Sequence, residues 1–234
     1  MTSLAPSKQE PSPPGAAWEG SASENGRFRR PLLALAALCL AGLAADTALA
    51  LSTRYLPVDL TLTRAVQSVD WGPLGLTFGF YTWLAGFTQL AVALAAIVLV
   101  FLIDRRAAPL MTCGALTGVF YQALNLLVHR PRPDASLVRV VTHMQGAGYP
   151  SGHAAFFSSF SVLLLYCLAY RRVPGWAFAA GWVVVLLVAA DARLSRVAVG
   201  AHWPSDVAAG LFIGVGWTAL VMSFRRLSDP VLER

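Results

Sequence analysis

His202 and Asp206 stand four residues apart, one helical turn on one face, with Pro204 between them. Proline is accepted in the first turn of a helix and not in its interior. A helix therefore starts near Trp203, and His202 sits just before it. A carboxylate bonded to one imidazole nitrogen would fix the tautomer and free the other nitrogen to attack. The plainer alternative is a helix-start aspartate beside an interfacial histidine. Upstream, Pro150-Ser151-Gly152-His153 opens another apolar run. Free amides at a helix N-terminus make an anion site, glycine lets a ligand come close, and Ser151 adds a hydroxyl donor. His153 would then lie beside the anion, placed to protonate a leaving oxygen.

The arginines complete the set. Arg130 and Arg132 lie in Arg-Pro-Arg-Pro, whose backbone is held extended. Arg196 follows Ser195, six residues before His202. A guanidinium grips phosphate oxygens in pairs and keeps its charge. Fixed positive donors stabilise the charge that develops on a transferring phosphoryl group. This is equipment for holding a phosphate and attacking it with a histidine. Arg130, Arg139 and Arg193 read equally well as charges solvating an outer loop.

The segments that position these groups are membrane-like. Of 234 residues, 56% are hydrophobic and 13% charged, about half the charged fraction of a soluble domain. Six apolar stretches can be marked: 31–51, 71–103, 107–128, 154–170, 175–190 and 207–224, and each is read as a retained span. Residues 1–30 read as a disordered cytoplasmic tail, 31–226 as the membrane domain and 227–234 as a short cytoplasmic tail. Residues 52–70 are more polar; Leu56, Leu60, Val66 and Val69 suit an interfacial amphipathic piece, and an ordinary loop reads equally well. With both termini inside, the inner segments hold 11 basic residues against 7 outside, and every inner junction carries an arginine pair or cluster. All three motif segments then fall on the outer side. The net charge of +6 is topology plus phosphate chemistry, with no basic stripe suited to nucleic acid. Cys39, Cys113 and Cys167 are scattered through apolar runs and read as buried small residues. Trp71, Trp83, Trp176 and Trp203 suit membrane interfaces. His129 and His143 complete the histidines, but no acidic residue at ligand spacing makes a metal site of the four, and no cofactor is expected.

The order and spacing of Asn125–Pro133, Pro150–His153 and Ser195–Asp206 resemble the three motifs of the type 2 phosphatidic acid phosphatase family. The resemblance covers roughly residues 70–224. It implies an all-α, six-helix membrane bundle with its active site at the outer membrane surface. It also implies metal-independent hydrolysis of a lipid phosphate or diphosphate, of the polyprenyl or phosphatidic-acid type. By position, His202 would be the nucleophile that forms a phosphohistidine, Asp206 its orienting partner and His153 the general acid. Arg132, Arg196, Ser151 and Gly152 would hold the phosphate. Asn125 stands where the family usually has a phosphate-binding lysine. Either Asn125 donates to a substrate oxygen while Arg130 supplies charge, or the substrate carries less charge, or the site has lost activity. A phosphotransferase using the same phosphohistidine, or a phosphate-binding membrane protein, are the alternative functions. Membrane lipids are the expected partners.

Overall fold

The structure is a computed structural model that describes residues 27–142 and 144–233. The expected tail at 1–26 and His143 lie outside the described residues. Among the described residues the regular elements are helical. They are α1 (Arg30–Ser52), α2 (Pro57–Ser68), α3 (Gly75–Trp83), α4 (Phe87–Ile103), α5 (Ala108–Ala115), α6 (Thr117–Val128), α7 (Gly152–Ala169), α8 (Gly175–Ala198), α9 (Pro204–Ser223) and α10 (Arg225–Leu232). Five spans are long and apolar enough to cross a membrane: α1, α5 with α6, α7, α8 and α9. A sixth is a bent pair, residues 72–83 and 87–103, which meet at 84°. The expected second span is thus broken. Gly86, at φ +57°, makes the turn that a residue with a Cβ resists.

Two further boundaries move. α8 continues to Ala198 rather than ending near residue 190, so Asp191, Arg193 and Arg196 are helical. Residues 225–232, expected in part as a tail, form α10, which folds back: Arg29 pairs with Asp229 at 2.6 Å, and its amide bonds Ser223 O at 2.9 Å. Both described ends of the chain therefore lie together. α9, 20 residues and about 30 Å long, separates them from the motif loops at its other end.

α9 is the central helix, packed chiefly on α1 and α7. Gly210 and Gly214, spaced as in small-residue membrane helix contacts, allow this. A Cβ at Gly210 would stand 2.4 Å from Ser151 O, and one at Gly214 would stand 2.6 Å from Ala155 O. The backbones approach so closely that the starts of α7 and α9 meet, and Ser151 N donates to Asp206 O at 2.9 Å. The second and third motif segments are joined by this packing. Within residues 52–70 the chain forms helix α2, with Asp59 and Thr63 buried beneath it. Trp203 is buried against Tyr55, ring centroids 5.2 Å apart.

Candidate functional site

His202 lies in the short connection between α8 and α9 and is buried. Its Nδ1 is 2.7 Å from Gly148 O. A carbonyl only accepts, so Nδ1 carries the proton and Nε2 carries the lone pair. Arg132 Nη1 stands 3.2 Å from that Nε2 and also donates to Ala201 O at 2.8 Å. Burial, and then the field of Arg132, push the His202 pKa well below the ordinary value. The ring is therefore neutral at pH 7. The fields of His153 and Arg196 also reach it, so all three motif segments converge here. Burial likewise lowers the pKa of Arg132, against the fields of Tyr121 and Asp206.

Asp206 is not the partner of His202. Its Oδ2 accepts from Trp203 N at 2.8 Å, capping its own helix, and its Oδ1 accepts from Arg130 Nη1 at 2.7 Å. One turn of separation is sufficient for contact only if both residues are helical, and His202 precedes the helix. The ring is oriented by the 146–149 loop instead. Arg130 is equally displaced from its expected role. It is 2% exposed and bonded to Asp206, to Ser205 Oγ at 2.7 Å and to Asp59 at 2.9 Å. Its two Nη atoms are held by these partners, and Nε is buried without one among the described residues. Asp59 also accepts from Ser205 N, Ser205 Oγ and Leu56 N. A buried carboxylate–guanidinium–carboxylate chain thus ties α2, the first motif loop and the start of α9. Asn125 donates its Nδ2 to Tyr149 O at 2.9 Å and Ala147 O at 3.3 Å. Both amide hydrogens are spent on the loop that orients His202, so Asn125 is a strut.

Arg196, fully buried, keeps a free hand. Nε donates to Ser195 Oγ, while Nη2 donates to Phe78 O and Thr82 Oγ1. Nη1 is buried with no partner. A buried donor without an acceptor is costly, and an anion beside Arg132 would satisfy it. His153 Nε2 is 2.7 Å from Tyr81 O, so that nitrogen carries a proton. Phe78 O and Tyr81 O belong to the final turns of α3. The break after Trp83 leaves Tyr81 O among the end carbonyls without a helical partner, while Phe78 O, a turn earlier, also accepts from Thr82 Oγ1; a helix C-terminus favours cations. Ser151 caps α7, its Oγ accepting from Ala154 N at 3.5 Å. The amides of Gly152 and His153 have no partner among the described residues. What presses on Gly152 is Tyr121: a Cβ would stand 2.9 Å from its ring. From Gly152 and Tyr121 an elongated groove of about 730 Å³ runs between α4, α6 and α7, past Leu90, Leu126, Phe156 and Phe160. Sequence reasoning missed Asp59, Tyr121 and the α3 carbonyls. Only Asp59, a carboxylate on the apolar side of an amphipathic segment, left a signal.

The PAP2 superfamily model matches residues 106–229, slightly more than half of the chain. The chain belongs to the PAP2 superfamily. Among its curated PAP2 relatives, the lipid A 1-phosphatase of Rhizobium etli is 32% identical over 124 residues, 48% of this chain and 47% of that protein. The undecaprenyl-diphosphatase of Sulfolobus acidocaldarius is 42% identical over 83 residues, 36% of this chain and 35% of that protein. The chain thus spans about half or less of the length of these two relatives. In fold it is similar to the PAP2-type phosphatidylglycerolphosphate phosphatase of Bacillus subtilis (TM-score 0.64, 18% identity, 77% of this chain and 92% of that one). It is also similar to Aquifex aeolicus LpxE (TM-score 0.55, 20% identity, 72% of this chain and 97% of that one). The expected PAP2 membership and all-α membrane fold are borne out.

Proposed function

We propose that this chain is a membrane lipid phosphatase working through a phosphohistidine on His202. The observation that carries the reading is the neutral, buried His202 ring, with Nδ1 spent on Gly148 O and Nε2 beside Arg132. Nε2 attacks phosphorus, and the bond from phosphorus to the leaving oxygen breaks. His153, holding Tyr81 O through Nε2, takes up a proton on Nδ1 as the anionic substrate binds and gives it to that oxygen. Water then attacks the phosphohistidine, returns a proton to His153 Nδ1 and releases inorganic phosphate with His202 restored. Arg132 turns from Nε2 to the phosphate, and Arg196 Nη1 finds the acceptor it lacks. The leading substrates are a polyprenyl diphosphate and a phosphatidic-acid-type glycerolipid. The groove beside Gly152 supports a lipid chain, and the names of the relatives support a lipid phosphate. The site lies away from both described termini, and the positive-inside count supports cytoplasmic termini with the site facing outside.

The test is phosphate release from a panel of lipid phosphates and diphosphates in detergent, with chelator present. Release that disappears in His202→Ala supports the reading. Release that survives His202→Ala, or no release from a folded wild type, refutes it.

A further inference from the structure

A second groove shares no residue with the one beside Gly152. It lies between α1, α7, α8 and α9, encloses about 350 Å³, and is lined by apolar side chains including Leu32, Val162, Leu186, Val215 and Met222. Along α8 it extends from Trp182 to Arg193, about 16 Å at 1.5 Å per residue. One leaflet of a hydrocarbon core of roughly 30 Å has about that depth.

The groove has one charged end. Arg193 lies within spanning helix α8, half-buried, where an outer-loop cation was an open reading. Its Nη1 donates to Ser158 Oγ at 2.8 Å. None of the ion pairs among the described residues involves it. Asp191, two residues earlier, does not reach it, and Asp191 Oδ1 is itself buried without a partner. A cation inside a span is costly and is found paired. Here the protein supplies a neutral hydroxyl, and an apolar channel leads away from it. Arg193 is also outside the phosphate site: its bond crosses to Ser158 on α7, more than a turn deeper than His153.

We propose that this groove holds one chain of an anionic phosphodiester phospholipid from the surrounding bilayer, whose head-group phosphate pairs with Arg193. Charge complementarity selects the head and the leaflet-long channel takes the tail. The site would bind a structural lipid, independent of the hydrolysed substrate.

The test uses the full chain purified in detergent and supplied with phosphatidylserine or phosphatidylcholine at equal mole fraction. Native mass spectrometry counts retained lipid, and a thermal melt follows stability. The wild type should retain phosphatidylserine several-fold over phosphatidylcholine and melt higher with it. Arg193→Gln should lose that preference and Arg193→Lys keep most of it. Val215→Phe, which fills the groove with the charge in place, should lose retention of both lipids. The proposal is overturned if the wild type shows no preference, if Arg193→Gln retains it, or if Val215→Phe binds as the wild type does.

Discussion

Replacing Arg130 by methionine separates the two roles open to this residue. In the fold, Arg130 joins Asp59 and Asp206, both with side chains 0% exposed, at 2.9 and 2.7 Å. Methionine removes the cation bonded to both and leaves two buried carboxylates facing each other. Breaking a buried ion pair from one side costs about 3–5 kcal/mol. Asp206 keeps Trp203 N, and Asp59 keeps Ser205 and Leu56, so the lower half of that range is expected. For a chain of this size each kcal/mol moves the melting temperature by about 2–4 °C, so Arg130→Met should melt about 6–16 °C lower. Thermal unfolding in detergent, followed by circular dichroism, measures it. In an Asp59→Asn background the same substitution should cost less, because one of the two stranded charges has gone. A phosphate ligand would behave otherwise, since its loss leaves the free protein as stable as before and weakens substrate binding. If Arg130→Met melts within 2 °C of wild type, a threshold of roughly 1 kcal/mol, and raises KM instead, the buried-network assignment is wrong.

Other substitutions probe the site itself. His202 is held neutral by burial and by Arg132, so the acid limb of phosphate release should reflect His202 only well below pH 6.5. Its lowered pKa also means that the unfolded chain binds a proton the folded chain refuses. Stability should therefore fall as pH drops below about 6.5, by up to roughly 1.4 kcal/mol per unit from this group; His202→Ala should flatten that slope in melts from pH 7 to 5. Asn125→Leu removes two bonds to the Ala147–Tyr149 loop and frees the carbonyl that orients His202. At about 1 kcal/mol per bond, kcat should fall roughly 5–30-fold with KM little changed, and a changed KM alone would indicate substrate contact. Gly152→Ala should cut activity through a collision with the Tyr121 ring, 2.9 Å from the new carbon. Tyr121→Ala should restore part of it, and failure of that rescue in a steady-state assay would place the conflict elsewhere.

The amino-acid sequence alone determined the membrane class, nearly every span, and the three segments that meet at the site. Those properties are local: a run of some twenty apolar residues reads as a span wherever it lies, and motif spacing is counted along the chain. Arg132, Arg196, His153 and His202 could be selected this way because each is unusual for its surroundings. Only the tertiary structure decided which groups pair. Asp206 turned from His202 to Arg130 because a helix starts between them, and Asn125 turned to loop carbonyls 22 and 24 residues away. Asp59 entered through a contact 71 residues distant, and the α3 carbonyls through contacts 72 to 118 residues distant. A hydrogen bond depends on where two segments sit in space; the close packing of α9 on α7 at Gly210 and Gly214, for one, brings the second and third motif segments together.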